Sequence, residues 1–128
     1  MLRVVFGESS QLAEFQEITD AVSSDLFRVE CLRTLDRIRL NKKLSEEEYL
    51  ERIALFYRFL DKVELIPIKR EILSRAAQPF PIQLGTLDAI HLASAILYRE
   101  RISQSLVFCS HDQALKNAAR SVQFSVLG

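Results

Sequence analysis

What this sequence lacks already narrows the classes of protein it can be. No apolar run approaches the roughly 18 residues of a membrane span, and no secretory signal is recognisable. Neither sign of charge is in excess, because Lys+Arg and Asp+Glu both number 17. The two cysteines, Cys31 and Cys109, form no C-x-x-C motif and lie within apolar patterns. We therefore expect a cytoplasmic protein with no membrane association and two buried free thiols.

What the sequence contains is typical of a globular domain. The chain has 128 residues, of which 48% are hydrophobic and 27% are charged. Such a length predicts a single domain, residues 1–128, with a sizeable core. The lack of a basic excess is weak evidence against an RNA ligand, because a local basic groove is enough to bind a phosphate backbone.

Short β-prone runs alternate with helical patterns along the chain, which predicts an α/β domain with a mostly parallel sheet flanked by helices. The predicted strands are Ala21–Ser24, Val63–Ile66, Leu106–Cys109 and Phe124–Leu127. The predicted helices are Asp25–Leu40, Glu46–Asp61, Lys69–Ala77, Leu87–Arg101 and Gln113–Arg120. Prolines keep the segment Pro79–Gly85 out of helical space, so it is predicted to be an extended loop.

The second predicted helix opens with a capping box, in which Ser45 caps the helix and Glu48 reaches back to it. Its helical spacing selects one apolar stripe: Tyr49, Leu50, Ile53, Ala54, Tyr57 and Leu60. Leu55, Phe56 and Phe59 fall off that stripe. The additional apolar surface indicates either burial on two sides or a subunit interface.

Three acids lie where predicted strands give way to helices, namely Glu30, Asp88 and Asp112. Ligands of open parallel α/β sheets bind beyond the carboxyl ends of the strands, so these acids are expected to converge on one edge. Mg²⁺ and Mn²⁺ prefer carboxylate and water oxygens, and such ions can activate a water for phosphodiester hydrolysis. The alternatives are that Asp88 and Asp112 stabilise helix N-termini and that Glu30 is solvated.

Two histidines and a row of arginines accompany these acids. His91 shares a helix face with Leu87, Ile90 and Ser94, and a core or groove-edge histidine is favoured over a metal ligand. His111 precedes Asp112 in an exposed turn, where it either contacts substrate phosphate or is a plain loop residue. The arginines of the first helix either receive an RNA backbone or form a solvated face, and they are Arg28, Arg33, Arg37 and Arg39.

Three segments of the sequence stand out together, and they are Val29-Glu30, Gly85-Thr86-Leu87-Asp88-Ala89-Ile90-His91-Leu92-Ala93 and Ser110-His111-Asp112. In this order and spacing they resemble the motifs of PIN-domain ribonucleases, and of the VapC-like toxins of toxin–antitoxin pairs in particular. The resemblance implies a Mg²⁺- or Mn²⁺-dependent endoribonuclease with a PIN-like three-layer fold. It also implies a homodimer and an antitoxin that blocks the acidic groove. The positions that match family acids are Glu30, Asp88 and Asp112, and Ser110 matches a polar position beside the last. Ser110 and His111 are the candidate substrate contacts.

The N-terminus departs from the family pattern. Members begin with a short strand that ends in Asp followed by Ser or Thr, whereas Met1–Glu8 resembles the latter part of the first helix. A gap at the centre of a parallel sheet would leave backbone groups unpaired. Either the natural chain is longer, or Leu2–Phe6 switches to a strand and fills the gap, or a partner chain supplies the pairing. We favour the second arrangement.

The sequence thus leaves three functions open. The first is a PIN-type endoribonuclease, a VapC-like toxin, whose three acids form an incomplete metal site with weak metal affinity and turnover. The second is a catalytically inert PIN-like module that binds RNA or a protein. The third is an unrelated α/β interaction domain whose acids are helix caps.

Overall fold

A computed structural model describes residues 3–6, 20–41 and 44–128 of the chain, the first of these segments by its backbone. The strands are β1 (Arg3–Phe6), β2 (Ala21–Ser24), β3 (Val63–Ile66), β4 (Leu106–Cys109) and β5 (Ser125–Leu127). The helices are α1 (Asp25–Leu40), α2 (Glu46–Leu60), α3 (Arg70–Ala76), α4 (Thr86–Ile102) and α5 (Gln113–Ser121). Each helix and strand predicted from residue 21 onward is present, with ends that differ by at most one or two residues.

The five strands form one sheet in the order β3-β2-β1-β4-β5, and all neighbouring strands are parallel. Because successive side chains of a strand point to opposite faces, neighbouring residues enter different cores. Val22 and Phe108 belong to a core built with α3, α4 and α5. Ala21 and Cys109 belong to a second core built with α1 and α2. Helices therefore cover both faces, and the predicted three-layer α/β architecture is confirmed.

Strand β1 lies at the centre of the sheet. Val5 is in register with Val22 of β2 and with Phe108 of β4. The helical interpretation of the N-terminal segment is therefore wrong for Arg3–Phe6, and the central position is taken by these residues, as the favoured arrangement predicts. The remainder of Met1–Glu8 lies outside the described residues.

Helix α4 is enclosed on most sides, which explains its lack of a polar face. It packs against α3, α5 and β2. The buried residues of α4 are Ala89, His91, Leu92, Ala93, Ser94, Ala95, Ile96 and Tyr98. In the described part of the chain, no helix is long and apolar enough to cross a membrane.

The capping box of α2 is confirmed: Ser45 accepts from the Glu48 backbone, and the Glu48 side chain accepts from the Ser45 backbone. The predicted apolar stripe of α2 is wrong in part. Phe56 is fully buried, whereas Leu50 and Tyr57 are 59% and 49% exposed. The buried face is selected by Phe27 of α1, whose ring lies 6.2 Å from that of Phe56.

Both thiols, Cys31 and Cys109, are buried and unoxidised, as predicted. Burial, with a smaller contribution from the neighbouring Glu30 carboxylate, raises the pKa of Cys31 to about 12. A thiol with such a pKa is a structural side chain rather than a nucleophile.

Candidate active site at the carboxyl edge of the sheet

The carboxyl ends of three neighbouring strands define one edge of the sheet. Phe6 at the end of β1 is in register with Ser23 of β2 and Cys109 of β4. Each of the two strands that flank β1 is followed by a helix: α1 begins directly after β2, and α5 begins shortly after β4. Since adjacent strands are roughly 4.8 Å apart, these two junctions are separated by roughly 10 Å.

At the β2–α1 junction, Glu30 is held by a residue from a distant part of the chain. Its Oε2 lies 3.0 Å from Nε2 of His91, a residue of α4. The Glu30 side chain is 18% exposed and that of His91 is 1% exposed. The interpretation of Glu30 as a solvated helix residue is therefore wrong.

The other ring nitrogen of His91 is also engaged. Its Nδ1 lies 2.9 Å from Oγ of Ser24, which is itself buried. The expectation of a core histidine with satisfied ring nitrogens is thereby confirmed. An ionised carboxylate accepts hydrogen bonds and donates none, so a hydrogen bond from His91 to an ionised Glu30 requires the proton to be on Nε2. In the neutral ring Nδ1 then accepts from the Ser24 hydroxyl.

Ser24 stands at the N-cap position of α1, but its side chain makes no capping hydrogen bond. Its hydroxyl bonds to His91 instead. This residue was not singled out from the sequence, because a serine before a helix ordinarily indicates a cap. Only the packing of α4 against β2 reveals its partner.

Asp88 lies in the first turn of α4, three residues before His91. Residues three apart share a helix face, so Asp88 is on the side of α4 that carries His91. Asp88 is partly buried. The helix begins at Gly85 with no side-chain cap, and a carboxylate in this turn also complements the helix dipole.

At the β4–α5 junction, Asp112 is held by its own helix. Its Oδ1 accepts from the Leu115 backbone N–H at 2.7 Å, so the alternative interpretation of Asp112 as a helix cap is confirmed. The Asp112 backbone N–H in turn donates to Oγ of the buried Ser110 at 3.0 Å. His111, between them, is exposed, as predicted.

The described residues do not unite the three acids into one metal cluster. Within residues 20–41 and 44–128, no group of three His, Cys, Asp or Glu side chains is placed to hold an ion. The oxygen donors are nevertheless of the type that Mg²⁺ and Mn²⁺ take, and Mg²⁺ is commonly held by one or two carboxylates and several waters. The donor type fits such an ion, and the metal role of Glu30, Asp88 and Asp112 stays a prediction.

The arginines of α1 are largely paired within the helix. Arg28 bonds to Asp25 at 3.1 Å, and Asp36 bonds to both Arg33 and Arg39 at 2.9 and 2.6 Å. The hydrogen bond from Arg39, aided by its charge and that of Arg33, lowers the pKa of Asp36. These contacts favour the solvated face over a row of cations that awaits RNA.

Comparison with known proteins identifies relatives along almost the whole chain. The profile of the PIN domain family matches residues 2–121. Over 105 residues the chain is 30% identical to Ribonuclease VapC47 of Mycobacterium tuberculosis (strain CDC 1551 / Oshkosh), with 82% of this chain and 68% of the relative covered. Over 107 residues it is 32% identical to Ribonuclease VapC46 of Mycobacterium tuberculosis (strain ATCC 25618 / H37Rv), with 83% and 72% covered.

Proposed function

Because the chain belongs to the PIN domain family, as a VapC-like member of it, we propose that it is a metal-dependent endoribonuclease and the toxin of a toxin–antitoxin pair. The observation that carries this proposal is the meeting of α1 and α4 at the carboxyl edge of the sheet. There Glu30 bonds to His91, and Asp88 lies one helical turn before His91. The two relatives named above are both ribonucleases.

In this proposal Glu30, Asp88 and Asp112 hold Mg²⁺ or Mn²⁺ together with water. The chemistry that such an ion would supply there is an activated water and stabilisation of the leaving oxygen of the phosphodiester. The protein contributes fixed carboxylates, because Glu30 is held by His91 and Asp112 by the backbone of α5. Ser110 holds the turn before Asp112, and exposed His111 is proposed to contact substrate phosphate.

We further propose that the acidic site is incomplete. In the family pattern that the sequence resembles, the first strand ends in Asp, whereas β1 ends in Phe6. Three acids instead of four should give weak metal affinity and slow turnover. Phe6→Asp should then tighten Mn²⁺ binding and raise the cleavage rate, and Phe6→Asn serves as the matched uncharged control. Equal Mn²⁺ affinity in the two variants would contradict this proposal.

The alternative is a catalytically inert PIN-like module that binds RNA or a protein. It is favoured by one observation, namely that no three-ligand group exists within the described residues. On this alternative Asp112 is a helix cap, and Glu30 is the structural partner of a buried histidine.

The deciding experiment is cleavage of a structured RNA by the purified protein with Mn²⁺ and with EDTA. The enzyme proposal predicts Mn²⁺-dependent cleavage that is lost in Asp88→Asn, since a neutral amide is a poorer ligand for a hard cation. The control is Asp61→Asn, which changes an acid at the exposed C-cap of α2. No cleavage by the wild-type protein, combined with tight RNA binding, would support the inert module.

The proposed partners are an RNA substrate, a cognate antitoxin that covers the acidic edge, and a second copy of the chain. Two exposed apolar side chains of α2, Leu50 and Tyr57, lie two turns apart on one face and are the proposed dimer contact. Leu50→Glu combined with Tyr57→Glu should yield monomers in analytical ultracentrifugation. The control is Leu73→Glu, at a 47% exposed residue of α3. The two buried free thiols agree with a cytoplasmic site of action.

A further inference from the structure

We infer that His91 is a positioning residue of the active site, which holds the Glu30 carboxylate in one orientation while Ser24 holds His91. The inference rests on the proposed function, because it assigns Glu30 to the metal site. It adds two residues that neither touch substrate nor bind metal themselves. They act by presenting Glu30.

Ser24, His91 and Glu30 form a contact chain. Ser24 Oγ, the two nitrogens of His91 and Glu30 Oε2 are linked by contacts of 2.9 and 3.0 Å. Ser24 is at the N-cap of α1 and Glu30 lies in the same helix, whereas His91 comes from α4. The imidazole thus joins two points of α1 to one point of α4, which restricts both its own rotation and that of the carboxylate.

The contact chain is largely buried. Ser24 and His91 are 1% and 2% exposed, and the Glu30 side chain is 18% exposed. In such surroundings water does not compete effectively for the hydrogen bonds, so they are stronger than on the surface. The remaining exposure of Glu30 leaves part of its side chain accessible to solvent.

The hydroxyl of Ser24 takes part in the contact chain rather than in a helix cap. A serine at an N-cap ordinarily satisfies a backbone N–H of the first turn, and this cap stabilises a helix by about 1 kcal/mol. The Ser24 hydroxyl makes no such bond and contacts His91 instead. A local stabilising contact is given up for a contact with a residue 67 positions away, as expected if the orientation of His91 matters.

Two variants of His91 distinguish the contributions of its two ring nitrogens. His91→Gln carries an amide nitrogen near the position of Nε2 and can still donate to Glu30. His91→Asn reaches only the position of Nδ1, so it can contact Ser24 but not Glu30. We expect His91→Asn to weaken Mn²⁺ binding about tenfold, the lower end of the effect of removing outer partners of metal ligands. His91→Gln should restore most of that loss.

The control for a general disturbance of α4 is Ser94→Ala. Ser94 is fully buried on the face of α4 that carries His91, and its hydroxyl donates to the Ile90 carbonyl at 2.8 Å rather than to a member of the contact chain. This variant should bind Mn²⁺ as the wild type does. In a double-mutant cycle, His91→Asn should have no further effect on Mn²⁺ affinity once Glu30→Gln is present, because His91 acts through Glu30.

Electron paramagnetic resonance of free Mn²⁺ measures these affinities without any assay of activity. If Asp88→Asn loses Mn²⁺ while His91→Asn binds it as tightly as the wild type, the inference is overturned and the proposed function stands. Additive effects of His91→Asn and Glu30→Gln would also overturn it. Absence of Mn²⁺ binding by the wild-type protein would instead refute the metal site itself.

A measurement on the wild-type protein covers the case in which the His91 variants do not fold. The ¹⁵N chemical shifts of the His91 ring report which nitrogen carries the proton. The inference requires a proton on Nε2, directed at Glu30. A neutral ring protonated on Nδ1 alone would overturn it, whatever the protein's metal affinity.

Discussion

The two strand-to-helix junctions that flank β1 hold their acids by different means. At the β2–α1 junction Glu30 is bonded to His91, which is 61 residues away and belongs to α4. At the β4–α5 junction Asp112 is bonded to Leu115, three residues further along the chain. One carboxylate depends on the packing of two helices, whereas the other depends on the first turn of its own helix.

This difference separates what is local from what is tertiary in the site. The hydrogen bond between Asp112 and Leu115 lies within the β4–α5 turn and should persist while that turn is folded. The orientation of Glu30 requires α1, α4 and β2 to be correctly packed. Disturbing the core should therefore affect the Glu30 side of the site more than the Asp112 side.

The largest expected effect is on the packing beneath the β2–α1 junction. Phe27 is fully buried, with its ring 6.2 Å from those of Phe56 and Phe59. Phe27→Ala should lower the free energy of unfolding by about 3–5 kcal/mol, because it removes a large apolar side chain and leaves a cavity. Val29→Ala, at a 49% exposed residue of the same helix, should change it by less than about 0.5 kcal/mol. Urea denaturation measures both, and similar losses in the two variants would contradict the described core.

The second effect concerns the contact chain itself. His91→Leu fills the same core position with an apolar side chain, but it leaves the buried Ser24 hydroxyl without its partner on α4. We expect a loss of about 1–3 kcal/mol in the free energy of unfolding, the cost of an unsatisfied buried polar group. Adding Ser24→Ala should recover part of this loss, since the orphaned hydroxyl is then absent. No recovery in the double variant would show that the loss has another origin.

The third effect separates the two roles of Asp112. Asp112→Ala should lower the free energy of unfolding by about 1 kcal/mol, because it removes the N-cap of α5. Asp112→Asn should preserve stability, since Asn caps as well as Asp, but it should weaken Mn²⁺ binding and cleavage. Thermal unfolding and an RNA cleavage assay test the pair. Full cleavage activity in Asp112→Asn would remove Asp112 from the proposed metal site.

The smallest effect lies in a purely local feature, the capping box of α2. The Ser45 backbone N–H donates to Glu48 and lowers the pKa of that carboxyl. A lowered pKa in the folded state means that the contribution to stability is present above the unfolded pKa and is lost as pH falls through the folded value. The stability difference between wild type and Glu48→Gln should therefore shrink from pH 7 to pH 3. A constant difference across that range would contradict the charged hydrogen bond.

The same division explains what could be predicted from the sequence. The strands, the helix types and both caps, at Ser45 and Asp112, follow from local patterns of apolar and capping residues. The central position of β1 follows from the need to pair the backbone of β2 and β4 and from the β-prone residues that precede Gly7.

The features that escaped prediction all depend on distant segments. The apolar residues of α2 lie on more than one side of the helix, so periodicity alone could not select Phe56 over Leu50 as the buried side chain. The hydrogen bond between Glu30 and His91 joins residues that are 61 positions apart, and no sequence pattern predicts a contact over such a distance. The use of Ser24 was hidden because a serine at that position has a simpler local explanation as a cap.

The central claim is that a divalent ion binds at the carboxyl edge of the sheet, between the two junctions. Titration of ¹⁵N-labelled protein with Mn²⁺ tests it most directly, because the ion broadens the amide signals nearest to it. We predict that the amide signals of Ser24, Asp88 and Asp112 broaden early and that the signal of Ser103, at the far end of α4, is affected last. Broadening centred elsewhere, or equal broadening of all signals, would contradict it.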